Sequence, residues 1–143
     1  MSTLTPSEAL ALEILDRIRT RLNAGGAGNP ATIDIYTGAK PSRPDVAITT
    51  QVKLGRVICS DDCGVVATVA GVPSLTFNPI TADDAADTTG VAAWGRASSG
   101  GGSPQAELDF DISTVGGNGF GQMNTTNVVI NGPIAAPSVI ITL

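Results

Sequence analysis

The sequence predicts a mainly β protein: an antiparallel β-sandwich, jelly-roll-like, preceded by one N-terminal amphipathic α-helix. Three observations predict it. Apolar residues recur at helical spacing only as far as about residue 23, and from Ala31 the period falls towards two. About eight short β-type runs follow, each closed by Gly-, Pro- or Asp-rich turn material, the pattern of a sandwich or barrel. The 143 residues match the usual size of one domain and can bury a two-layer core without disulfides or metal. Hydrophobic residues make up 42% but aromatics only 3%. Val, Ile, Leu and Ala must therefore build the core, with Tyr36, Phe77, Trp94 and Phe110 as the few large fillers.

The helix comes first. Thr5-Pro6-Ser7-Glu8 reads as its start: Thr5 caps, Pro6 takes the first helical position, and Glu8 bonds back as a capping box. Ala11, Ile14, Leu15, Ile18 and Leu22 make one apolar stripe. Glu8 and Glu13 near the start, and Arg17, Arg19 and Arg21 in the last turns, suit the helix dipole. Asn23-Ala24-Gly25-Gly26 ends the helix, and Gly25 to Pro30 reads as a flexible joint. Two units follow: residues 1–26 as a docking helix, whose stripe meets its own sandwich or a neighbour, and residues 31–143 as the sandwich.

Within the sandwich, Thr32 to Tyr36 alternates as a strand. Ala39 to Asp45, with Pro41 and Pro44, is a rigid loop. Leu54 to Cys59 and Cys63 to Val69 flank Ser60-Asp61-Asp62 and read as a hairpin. Further runs are Ser74–Ile80, Val91–Ala97, Gln105–Ile112, Thr126–Asn131 and Ser138–Leu143. In Gln105–Ile112 the period of two sends Asp109 and Asp111 to water and Leu108, Phe110 and Ile112 to the core. The unbroken Val139-Ile140-Ile141 run predicts a strand covered on both faces. Gly116 to Gly121 lies between strands and reads as a glycine-rich turn, not as a dinucleotide-binding loop opening a helix.

Chemistry-bearing residues are scarce. The chain has no His, so no Ser–His–Asp set can be assembled. Cys59 and Cys63 flank a short turn; two readings stay open, packing thiols or a cross-strand disulfide formed late. A four-ligand zinc site needs ligands this chain lacks. Asp83, Asp84 and Asp87 do not match a calcium loop and read as a solvated turn. Asp87-Thr88-Thr89-Gly90 carries one residue too many for an aspartic-protease motif. With 8 basic against 13 acidic residues, a formal net charge of −5 and no basic stripe, nucleic acid is excluded as a partner. No apolar run approaches a membrane span, and MSTLTPSEA lacks the features of a signal peptide. Synthesis in a reducing cytosol is expected, and Asn124-Thr125-Thr126 is then a chance glycosylation triplet.

Three stretches together resemble small virion structural proteins of tailed bacteriophages. They are Ile35-Tyr36-Thr37-Gly38-Ala39-Lys40-Pro41 after the helix, the Ala82–Arg96 region with its Asp-rich turn and Trp-x-Arg, and Met123 to Ile130 followed by Ser138-Val139-Ile140-Ile141-Thr142. Such proteins include jelly-roll capsid cement or decoration proteins. The resemblance implies a non-enzymatic assembly role, with no catalytic residues and no cofactor. The expected protein binds and stabilises the assembled shell on the capsid exterior. Its partners are the major capsid protein and further copies of itself, as homo-dimer or homo-trimer. A neck, tail or fibre-base component, and a carbohydrate-binding sandwich for host attachment, are the alternatives.

Overall fold

Helix α1 runs from Glu8 to Leu22 in the computed structural model, which describes residues 4–143. Its N-cap is Ser7 and not Thr5. Ser7 has the extended backbone of a cap, with φ −63° and ψ 159°, and its hydroxyl accepts from the Leu10 N–H at 3.2 Å. Pro6 is thereby left outside the helix. Glu8 makes no capping box; its carboxylate accepts a hydrogen bond from the Thr68 hydroxyl at 2.7 Å. A short 3-10 turn, Asn23–Gly25, follows.

The joint after it is locked by close backbone approach. A Cβ on Gly25 would stand 2.7 Å from the backbone of Gly100, so two glycines let the chain after the helix press on a distant loop.

Ten strands follow: β1 Thr32–Thr37, β2 Val52–Ile58, β3 Gly64–Val69, β4 Val72–Phe77, β5 Gly90–Val91, β6 Trp94–Ser98, β7 Ala106–Thr114, β8 Gly121–Met123, β9 Asn127–Val128 and β10 Ser138–Thr142. Eight form one strip in the order β2-β1-β6-β7-β8-β10-β4-β3, while β5 and β9 form a small second ribbon. The protein is thus mainly β with a single N-terminal helix. The inward residues Ile33, Ile35 and Val57 of one half share a single core with Leu75, Val139 and Ile141 of the other.

Several pairings depart from the sequence reading. The segments around Ser60-Asp61-Asp62 do not form a hairpin. Among the described residues β1 is the only strand paired with β2, whose last residue Ile58 also bridges to Thr81; β4 is the only strand paired with β3, and β2 and β3 lie at opposite ends of the strip. The tight hairpin is β3–β4, closed by Ala70 and Gly71 with φ 50° and 81°. Positive φ at both positions is the mirror-image turn that matches strand twist. β8 is an additional strand, and it runs parallel to β7. Such a pairing ordinarily needs a crossover of a dozen or more residues. Here glycines shorten it: a Cβ on Gly119 would meet the Asp111 carbonyl at 2.7 Å, and one on Gly121 the Phe110 ring at 2.8 Å. The Gly-rich segment is therefore a return loop laid against the backbone of β7.

α1 packs on β3 and β4 and reaches β7. Leu15 and Leu22 are fully buried in the common core, and Ala11 is 1% exposed. Ile18 packs at the margin and Ile14 is exposed. Of the stripe expected to serve docking, three residues are thus committed to the protein's own core. The helix and the sandwich share that core.

The helix face is testable by stability. Leu15→Ala should cost about 2–5 kcal/mol, because it opens a cavity in a closed core. Ile14→Ala should stay within about 0.5 kcal/mol. Denaturant unfolding of the two variants measures both, and equal losses would show that the wrong face has been assigned to the core.

Candidate functional site

The outer face of the first half-sheet carries a row of alternating charge. Arg56 on β2, Asp34 on β1, Arg96 on β6 and Asp109 on β7 lie directly opposite one another across four strands. Arg56 donates to both oxygens of Asp34 at 2.6 and 3.0 Å, and Lys53 adds a contact at 3.3 Å. Arg96 donates to both oxygens of Asp109 at 2.8 and 2.9 Å. The Arg96 and Asp109 side chains are only 10% and 4% exposed. Asp109 therefore does not face water, as its period-two position predicts; Asp111, one pleat further on, does, beside Lys40 at 3.2 Å.

The cover is the β1–β2 loop. Its Val46 and Arg43 carbonyls accept from Arg96 at 3.3 and 3.5 Å, and the Gln51 amide ties the loop to the Ala39 carbonyl at 2.6 Å. In the next row Tyr36 stacks on Trp94 with centroids 4.5 Å apart and an interplanar angle of 12°. Arg96 lies 5.4 Å above the Trp94 ring. Burial, and then the Asp34 carboxylate, raises the Tyr36 phenol above its ordinary pKa. These are the aromatic platforms a sugar-binding reading would need, and both are buried, packed on each other.

The connection Cys59–Cys63 sits under the end of α1. Asp62 accepts from Arg19 at 3.0 and 2.6 Å and from the Asn23 amide at 3.0 Å. Those bonds hold its carboxyl well below the usual range, the Arg19 bond contributing most. Asn23 in turn accepts from the Cys63 N–H at 2.9 Å. Cys59 and Cys63 are free, buried thiols within the core. Burial pushes Cys59 up to about 12 and Cys63 up to about 11. Among the described residues no group of three or more His, Cys, Asp or Glu is placed to hold a metal ion. Asp83 has a structural part instead: its carboxylate accepts from the backbone N–H groups of Arg56 and Ala85, both at 3.0 Å.

The second half-sheet is the opposite of the first. Residues 63–82 and 112–143 contain no Asp, Glu, Lys or Arg. β3, β4, β8 and β10 all come from these two stretches and lie side by side. Their outer face presents Val65, Val69, Val72 and Ile140, 41–56% exposed, between Thr76 and Thr142. Ile140 thus points outward between buried Val139 and Ile141, and β10 is covered on one face only. A second exposed apolar group, Val91, Val129 and Ile130, sits at the β5–β9 ribbon. The segregation of charge is legible in the sequence. That the two uncharged stretches form one layer is not, because their strands pair across long sequence separations.

No family model, no curated protein and no solved structure matches this chain.

Two outcomes test this geometry. Asp109→Ala should cost about 3–5 kcal/mol by leaving a buried guanidinium unpaired, whereas Arg96→Met with Asp109→Leu should cost far less. Equal losses in chemical denaturation would mean that the pair is not desolvated. The thiols should be inert to a disulfide reagent at neutral pH and both titrate on unfolding. Because burial raises their pKa, the unfolded chain releases those protons first, from about pH 8.5. Stability should therefore fall between about pH 8.5 and the folded values of about 11 and 12. Rapid labelling of native protein at pH 7 would contradict the burial.

Proposed function

We propose that this chain is a non-enzymatic assembly protein and, following the resemblance of its sequence to tailed-phage structural proteins, a capsid cement protein. The observation that carries the assembly role is the uncharged half-sheet. Interspersed charges of both signs keep a free protein surface soluble and apart from its neighbours. A whole layer without one ionisable side chain fits a surface that is covered in use. The charged half-sheet is built differently: the protein's own β1–β2 loop covers the Arg96–Asp109 part of its outer face.

Attachment to a shell asks for a second contact. The ribbon apex, Val91, Val129 and Ile130, supplies it: exposed apolar groups held by Ala92 N–H to Thr126 carbonyl at 2.8 Å and Ile130 N–H to Thr89 hydroxyl at 2.9 Å. Its backbone is fixed, so little ordering entropy is lost on contact. Many such weak contacts act together on a shell. Cement that binds only the assembled form stabilises it by mass action.

The test is binding of purified protein to shells lacking it. Wild-type chain should saturate at hundreds of copies per particle, the order a cement requires for avidity. Ile130→Asp should bind at least about tenfold more weakly, a loss of about 1.4 kcal/mol per contact. About a dozen copies or fewer would place the protein at a neck or tail instead, and no binding would reject the shell as partner.

A further inference from the structure

The two edges of the eight-stranded strip are built differently. β2 carries Lys53 and Arg56, and its pairing with β1 is interrupted by a bulge between Ile35 and Tyr36. Charges and bulges of this kind keep a strand from meeting another chain. The other end has neither. β3 pairs with β4 without interruption from Gly64 to Val69, and neither strand carries a charge. The protective features guard one half of the molecule and are absent from the other.

Val65, Val69 and Val72 are exposed along the β3 side of the uncharged face. On its β8 side lies a cleft of about 220 Å³, lined among others by Phe120, Ser138, Ile140 and Thr142. Val65, Thr76 and Ile140 occupy one row across β3, β4 and β10. At the usual strand spacing, Val65 and Ile140 are therefore roughly 10 Å apart on one surface.

We propose that the outer face of β3, β4 and β10 is a homodimer interface, packed on the same face of a second copy about a twofold axis. A twofold axis places the exposed valines of each copy on the cleft of the other, so one contact is made twice. The two sheets then stack about 10 Å apart with interdigitating side chains, as in a sandwich core. Charge selects the partner. A surface of ordinary composition would bury charges against a face with nothing to pair them, which their desolvation opposes. The same face of a second copy buries none. The dimer needs no shell, so its test is independent of the cement reading.

Sedimentation of the full chain should show a dimer within about 1–100 µM, the weak end for interfaces of ordinary size. Val65→Lys and Ile140→Glu should each weaken it at least about tenfold, while Val52→Lys, exposed on β2 of the other half-sheet, should leave it unchanged. Thermal melts keep misfolding separate from dissociation, because Val65 and Ile140 are exposed. Mixing V65K with I140E should restore a dimer, since the twofold arrangement sets the Lys of one copy against the Glu of the other. A wild-type monomer at about 100 µM, a dimer that persists in both variants, or a mixture that stays monomeric would each overturn the proposal.

Discussion

The structure turns on the short connection from Cys59 to Cys63. It joins β2 to β3, the two ends of the eight-stranded strip, and so forces the strip to fold back on itself. Once the ends are held together, the inward faces of both halves share one core. The connection is itself fastened from every side. Cys59 donates its N–H to the Ala31 carbonyl at 2.9 Å, and the Cys63 carbonyl accepts from Asn78 at 2.8 Å. Arg19 and Asn23 clamp Asp62 from the helix, and Asp61 accepts from the Gly28 N–H at 3.2 Å. The helix stripe then fills the space beneath, which is why Leu15 and Leu22 belong to the core rather than to a partner.

The two half-sheets solve the problem of an outer face in opposite ways. On the first, the Arg56–Asp34–Arg96–Asp109 row fixes register. A slip of one residue would turn every charge inward and every isoleucine outward. A buried pair such as Arg96–Asp109 adds little net stability, because desolvation offsets attraction, but it makes the wrong register costly. The second half-sheet has no such row. Its register is set by the β3–β4 turn and by the β7–β8 return loop, both governed by glycine. That difference leaves one outer face partly covered by the protein's own loop and the other suited to contact.

Much of the architecture was legible residue by residue. The helix, its approximate length, and the positions of β1, β4, β6, β7 and β10 follow from local periodicity, because each is set by which residues recur on one side. The burial of Phe110 and Ile112 and of Ile33 and Ile35 follows in the same way. The scarcity of nucleophiles and metal ligands is a property of composition and needs no fold.

Tertiary structure alone decided the partners. Whether Cys59 and Cys63 flank a hairpin or a crossover depends on which strand each neighbour finds, and that is a long-range choice. Asp109 is polar by sequence yet its side chain is buried, because a loop 50 residues from Arg96 along the chain brings carbonyls to that Arg; local pattern contains no record of that approach. The same holds for the Gly-rich segment, whose parallel return is set by how closely its backbone meets β7, and for the uncharged face, which exists only when residues 63–82 and 112–143 come together. Side-chain period reports which way a residue points. Pairing decides what it points at, and only the closed strip fixes that.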